Sequence, residues 1–159
     1  MMRIGYGSDK HRLAVGGRLV LGGIEVPSDL GSVGHSDADV VLHSVTDALL
    51  GAVAAGDIGT HFPNTDERWK NADSGVFLRH AVSLVREKGF AVANIDVTIH
   101  LESPKLRPVI DEMRANVAEI LGTNTDNVSI KAKTGEGIGE IGERKAVLAE
   151  AVVLITKAE

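Results

Sequence analysis

Residues 35–59, HSDADVVLHSVTDALLGAVAAGDIG, constrain the fold more than any other stretch. Val41, Val45, Ala48, Leu49 and Ala52 recur at helical spacing, so the segment reads as one long helix with an apolar stripe turned to a core. On another face Asp39, His43 and Asp47 follow at i, i+4 and i+8, which stacks an acid, an imidazole and an acid above one another. That stripe fits a solvated face with a stray histidine. It fits equally a metal ligand, His43, with Asp39 and Asp47 orienting imidazoles. Ser36 or Asp37 would cap the helix, and the free N–H groups at such a start favour phosphate.

A partner for His43 lies near the N-terminus. Met2 to Gly7 reads as a short strand that runs into a glycine-softened loop, and Ser8-Asp9-Lys10-His11-Arg12 follows. In extended chain i and i+2 point to one side, so Asp9 and His11 converge. The chain has no cysteine, which excludes disulfides, thiolate nucleophiles and sulfur ligands. Any transition metal must therefore rest on His and carboxylate. Two imidazoles and one carboxylate suit zinc with an open fourth position, the arrangement of a catalytic rather than a structural site.

The remaining elements follow from periodicity and punctuation. Arg18 to Val26 reads as a hairpin around Gly22-Gly23, and Pro27 to Gly34 as a loop. Thr60 to Asn71 is a long polar connection, the kind that is often functional. Asp73 or Ser74 opens a helix that runs to about Lys88 and is stopped by Gly89. Phe90 to Leu101 is a strand. Glu102 to Pro108 turns into a third helix, ended by Gly122. Val128 to Lys133 is a strand, Gly135 to Glu143 a glycine-rich loop, and Val147 to Thr156 a closing strand. The order predicts one α+β domain over residues 1–159. Its expected form is a mixed four-stranded sheet with helices on one face and an N-terminal hairpin, a ferredoxin-like sandwich.

Composition narrows the function. Aromatic residues make up 3% of the chain, so the core is aliphatic and platforms for stacking single-stranded nucleic acid are scarce. With 17 Lys and Arg against 22 Asp and Glu, the net charge is -5, and no basic run offers a nucleic-acid surface. No apolar run reaches membrane-spanning length. The default compartment is the cytoplasm, or a plastid-type organelle if a transit peptide has been removed. Residues alone leave open zinc-dependent phosphate chemistry, hydrolysis by a metal-activated water, or a noncatalytic metal or nucleotide scaffold.

The motifs GSDKHR, GHSDADVVLHSVTDALLGAVAAGDIGTHFPNTD, ESPKLRP and KAKTGEGIGEIGE occur in one order. In that order and spacing the chain resembles the 2-C-methyl-D-erythritol 2,4-cyclodiphosphate synthase family over nearly its whole length. The resemblance implies a homotrimer with active sites between subunits. It implies one Zn2+ per subunit on Asp9, His11 and His43, and Mg2+ or Mn2+ held by substrate phosphates and Glu136. The implied substrate is 4-diphosphocytidyl-2-C-methyl-D-erythritol 2-phosphate, whose 2-phosphate attacks the β-phosphorus and expels CMP. His35 and Ser36 would lie on the phosphates of the attacking end, and Thr134 would assist at the diphosphate with Lys133 and Gly135 beside it. His35 and Thr134 thus carry the catalytic roles. Asp57, Ile58 and Gly59 would line the erythritol pocket, with His61, Phe62, Pro63, Asn64, Thr65 and Asp66 over it. Leu101, Ser103, Pro104, Lys105, Leu106 and Arg107 match the cytidine pocket.

Three positions depart from the family pattern. Glu140 and Glu143 stand where many bacterial members carry Phe and Arg against an isoprenoid-diphosphate-like ligand in the trimer's central cavity. Acids there would repel a diphosphate, so that ligand is expected to be absent. Asn64 replaces a common Asp and can still hydrogen-bond a hydroxyl. Lys133 replaces a frequent Thr and adds a positive charge near the diphosphate.

Overall fold

The computed structural model describes residues 1–158. Its strands are β1 (Met2–Val15), β2 (Leu19–Leu21), β3 (Ile24–Val26), β4 (Leu30–Val33), β5 (Phe90–His100), β6 (Val128–Lys133) and β7 (Ala146–Lys157). Its helices are α1 (Val40–Ala52), α2 (Ile58–His61), α3 (Gly75–Glu87), α4 (Ile110–Leu121) and α5 (Gly139–Gly142). Five strands form one mixed sheet in the order β4-β1-β7-β5-β6, and β2 pairs with β3 in a separate ribbon. Only β5 and β6 run parallel. The long helices stack on one face: α1 lies on β1 and β7, α3 packs on α1 and α4, and α4 touches β6.

The sheet has one strand more than expected. Leu30 to Val33 falls within the expected Pro27–Gly34 loop, yet it pairs antiparallel with the far end of β1, Val15 opposite Leu30 and Arg12 opposite Val33. The connectivity also departs from a ferredoxin-like sandwich, in which the two strands of each βαβ unit are split by a third. Here β5, α4 and β6 form an unsplit unit with β5 and β6 as neighbours.

β1 runs through the glycines and the polar segment that was expected to be loop. The reason lies in the helix above it. A Cβ on Gly5 would fall 1.8 Å from the Ala48 carbonyl oxygen, and one on Gly7 would fall 2.1 Å from that of Ser44. These glycines stand where a half-buried strand normally carries inward side chains, and they let α1 rest directly on β1. The outward positions alternate with them and leave Met2, Ile4 and Tyr6 at 69%, 70% and 58% exposure.

The core between the layers is aliphatic, built from residues such as Leu42, Val45, Leu49, Leu78, Ile95, Ile99, Met113 and Ile155. Each such side chain contributes roughly 1.5–3 kcal/mol of burial. The expected stretch 35–59 is not one helix. α1 starts at Val40 with Asp39, not Ser36 or Asp37, as its cap, and Ala54 and Gly56 at positive φ break the chain before the four-residue α2. Among the described residues no helix is long and apolar enough to cross a membrane.

Candidate metal centre and its pockets

Asp9 and His11 lie on β1 at i and i+2, and His43 sits one turn into α1 above them. Glycine contact between strand and helix therefore sets the spacing of the three side chains. Their ligand atoms all fall within 4.8 Å of one another. Asp9 Oδ2 is 2.9 Å from His43 Nδ1 and 3.0 Å from His11 Nε2. Burial alone would raise the Asp9 pKa, but hydrogen bonds and charge from His11 and His43 hold it down to about 2. The Asp9 carboxylate in turn raises the pKa of His11, against the opposing effect of burial.

Neighbouring groups fix which imidazole nitrogens face the cluster. The Nδ1–H of His11 donates to the Val33 carbonyl at 2.7 Å, which leaves Nε2 for a cation. The Ser74 hydroxyl donates to Asp37, so its oxygen accepts from His43 Nε2–H at 2.7 Å. Ser36 Oγ lies 3.1 Å from the same nitrogen. A cation would take the lone pair of His43 Nδ1 in place of the proton which that nitrogen here donates to Asp9. Two oriented imidazoles and an ionised carboxylate fit a divalent cation, and their chemistry matches a three-ligand site open to a substrate oxygen.

Asp39 and Asp47 do not orient the imidazoles. Asp39 is fully buried and accepts four backbone N–H bonds, from Val41 and Leu42 in α1 and from Gly22 and Gly23 in the hairpin turn. Burial pushes its carboxyl up to about 6, and the Leu42 and Gly23 amides pull against that. Asp47 accepts the Ile58 amide at 2.7 Å and so ties α2 to α1. Both carboxylates are occupied by backbone, which is why the polar stripe is not a row of ligands.

The triad opens into a cavity of about 400 Å³. Of the residues assigned to substrate, Asp9, His11, His35, Ser36, Ile58, Gly59, Phe62 and Asn64 line it, together with Val33, Gly34, Trp69 and Phe77. Phe62, Trp69 and Phe77 pack at centroid separations of 4.6 to 5.9 Å, and Phe77 reaches the His43 ring. Half-buried His35 touches the Asp66 carbonyl through Nε2 at 3.2 Å, and the Asn71 amide donates to the His35 carbonyl at 2.8 Å. Segment 66–71 is thereby moored to the rim.

Several assigned residues face elsewhere. Asp57 caps α2 through Thr60. His61 Nε2 donates to the Ala55 carbonyl and its Nδ1 faces His80. Asp66 clamps Arg68, and Pro63 and Thr65 are exposed. None of these five lines the cavity.

A second cavity of about 670 Å³ lies where β5 and β6 end. Leu101, Pro104, Lys105, Leu106, Arg107, Lys133 and Thr134 line it, with Glu102, Ile110 and Asp111 among residues not singled out beforehand. Ser103, Gly135 and Glu136 stand just outside its lining. The Thr134 hydroxyl donates to Glu136 Oε1 at 3.1 Å, and among the described residues Glu136 is not part of the Asp9–His11–His43 cluster. The two cavities share no lining residue.

Sequence reasoning passed over Ser74, Asp37 in its contact with Ser74, and the aromatic group of Trp69 and Phe77. A Ser after an Asp at a helix start gives no hint that its partner lies 31 residues away. The aromatic group left a signal in hindsight: three of the chain's five Phe, Trp and Tyr residues meet around one cavity.

Comparison with known proteins places this architecture. The family model that matches the chain is that of the YgbB family, over residues 2–156. The 2-C-methyl-D-erythritol 2,4-cyclodiphosphate synthase of Salinibacter ruber is 55% identical, covering 99% of this chain and all of the relative. The bifunctional IspDF of Campylobacter jejuni superposes with a TM-score of 0.96 at 36% identity, covering 100% of this chain and 43% of that one. A CDP complex of IspF from Plasmodium falciparum gives a TM-score of 0.88 at 33% identity, over 99% and 97% of the two chains.

Proposed function

The chain belongs to the YgbB family, and from that membership, with the Asp9–His11–His43 cluster as the observation that carries it, we propose how its residues divide the work of a cyclodiphosphate synthase. It is a phosphorus–oxygen lyase of isoprenoid biosynthesis. It converts 4-diphosphocytidyl-2-C-methyl-D-erythritol 2-phosphate to 2-C-methyl-D-erythritol 2,4-cyclodiphosphate and CMP. An oxygen of the 2-phosphate forms a bond to the β-phosphorus. The bond from that phosphorus to the bridging oxygen breaks, and CMP leaves with the electron pair. One anionic phosphate oxygen replaces another, so no strong general base is needed. The obstacle is to fold a flexible polyanion against its own repulsion.

Asp9, His11 and His43 would hold Zn2+, which would supply charge compensation and polarisation at the β-phosphate. Val33, Ser74 and Asp37 keep the imidazoles turned toward that cation. His35 and Ser36 bind the attacking phosphate at the rim of the smaller cavity. Ile58, Gly59, Phe62 and Asn64 enclose the erythritol, and Asp57, His61, Pro63, Thr65 and Asp66 shape the segment around it. Thr134, Lys133 and Gly135 receive the diphosphate, and Glu136 would help to hold a Mg2+ or Mn2+ ion there, which would supply further charge compensation. Leu101, Ser103, Pro104, Lys105, Leu106 and Arg107 form a cytidine pocket that reads the base through backbone donors and acceptors.

The assembly is a homotrimer in which the triad cavity of one chain meets the cytidine cavity of its neighbour. Two observations support this reading. Within one chain the cavities share no residue, and the sheet face opposite the helices leaves Ile4, Tyr6 and Val152 in water, an apolar patch that association would cover. One domain spans residues 1–159, and the expected compartment is the cytoplasm.

Turnover in 18O-labelled water tests the reaction. Cyclisation yields unlabelled CMP and unlabelled cyclic diphosphate. Label in either product would mean hydrolysis at the same centre, and intact substrate would mean a binding scaffold.

A further inference from the structure

The loop from Thr134 to Glu143 contains Gly135, Gly137, Gly139 and Gly142, and its two functional side chains, Thr134 and Glu136, are both exposed. Such a segment loses much backbone entropy on ordering and has little apolar contact to offset it. Its own hydrogen bonds are few: Thr134 and Glu136 hold each other through the Thr134 hydroxyl at 3.1 and 3.3 Å, and backbone bonds run from Ile138 to Gly135 and from Gly142 to Ile138. At Glu136, which sits at φ 53, a further tie comes from outside the loop. Glu102 Oε2 accepts the Gly135 amide at 2.7 Å, and Oε1 accepts the Gly137 amide at 3.2 Å. One carboxylate thus brackets Glu136 on both sides.

Glu102 belongs to the turn after β5 and lines the larger cavity. One residue earlier the Leu101 amide donates to the Lys133 carbonyl at 2.9 Å, so the two chain segments are already in register when Glu102 reaches across. Amides aimed at a single point form an anion-binding concavity; here the anion is built into the protein. We propose that Glu102 is a positioning residue that holds Thr134 and Glu136 in the geometry needed for the diphosphate and its divalent ion. It couples the wall of the nucleotide pocket to that arm. The proposal rests on the functional reading above for what the arm binds, and on geometry alone for the clamp.

Glu102→Ala and Glu102→Gln test it; the latter keeps one carbonyl acceptor and guards against a folding defect in the former. Amide hydrogen exchange read without substrate or added metal should accelerate at least tenfold at Gly135 and Gly137 in Glu102→Ala, and less in Glu102→Gln. The Mg2+ concentration for half-maximal CMP release should rise at least tenfold in Glu102→Ala. Zinc content should stay within twofold of the parent chain. Unchanged exchange and unchanged Mg2+ dependence in Glu102→Ala would overturn the proposal. So would a parallel loss of zinc and melting temperature in both variants, which marks a merely structural role. A parent chain that releases no CMP would count against the functional reading and leave the exchange result standing.

Discussion

Replacement of Asp39 separates two roles that the same residue could play near the metal. Its carboxylate accepts four amides: Val41 and Leu42 at 3.0 Å each, Gly22 at 3.0 Å and Gly23 at 2.6 Å. Loss of the helix cap alone costs about 1 kcal/mol. The Gly22 amide is buried in a hairpin turn packed under Met113 and Asn116, where an unpaired N–H costs roughly 1–2 kcal/mol; Gly23 is exposed, so its freed amide turns to water at little cost. Asp39→Ala should therefore destabilise the chain by about 2–3 kcal/mol, with Asp39→Asn losing about half as much because one oxygen remains. For a chain of this size that is a fall in melting temperature of about 4–12 °C for the alanine variant. Scanning calorimetry at pH 7 with chelator and fixed protein concentration removes metal linkage from the comparison. A shift under about 2 °C would refute the cap reasoning. A stable Asp39→Ala variant that loses zinc would show instead that the carboxylate acts on the imidazoles.

Other consequences follow from the same contacts. Gly7→Ala places a methyl 2.1 Å from the Ser44 carbonyl oxygen, next to His43; it should lower the melting temperature sharply and reduce zinc content, whereas Gly137→Ala has open space for its methyl and should leave zinc content unchanged. Asp9 raises the pKa of His11, so protons compete with the cation at His11 below that raised value. Metal affinity measured by competition should then weaken as the pH falls through the histidine range, and a flat profile would contradict the pairing. Glu140 pairs with Lys10 at 2.7 Å and Glu143 pairs with Lys145, which tempers the acids without supplying the free cation a diphosphate needs; crystals soaked in geranyl or farnesyl diphosphate should show no density on the axis of the proposed trimer, and clear density would refute the expectation.

The legible parts of the fold are those with a clean period. The stripes of α3 and α4, the alternation in β5 and the glycine stop at Gly122 carry their own signal. In β1 the stretch Met2 to Gly7 reads as strand, but its continuation to Val15 does not, because Ser8 to Arg12 is an unbroken polar run with no apolar alternation. β4 was hidden by Gly31 and Ser32 in a four-residue run. The sequence pattern extends the helix back to residue 35 because Asp39 fits a polar stripe as well as it fits the cap that it is. Within the site, Asp9 and His11 were readable from strand period and His43 from its helix. The groups that aim the imidazoles were not, since a carbonyl on β4 and a hydroxyl before α3 become neighbours only once the layers pack.

Zinc K-edge absorption on the purified parent chain and on His43→Ala, read beside CMP release, tests the central claim most directly. The account predicts one zinc per chain with nitrogen and oxygen ligands in the parent, and loss of both the metal and turnover in the variant. A zinc-free parent that turns over at full rate, or a His43→Ala variant that keeps its activity, would contradict it.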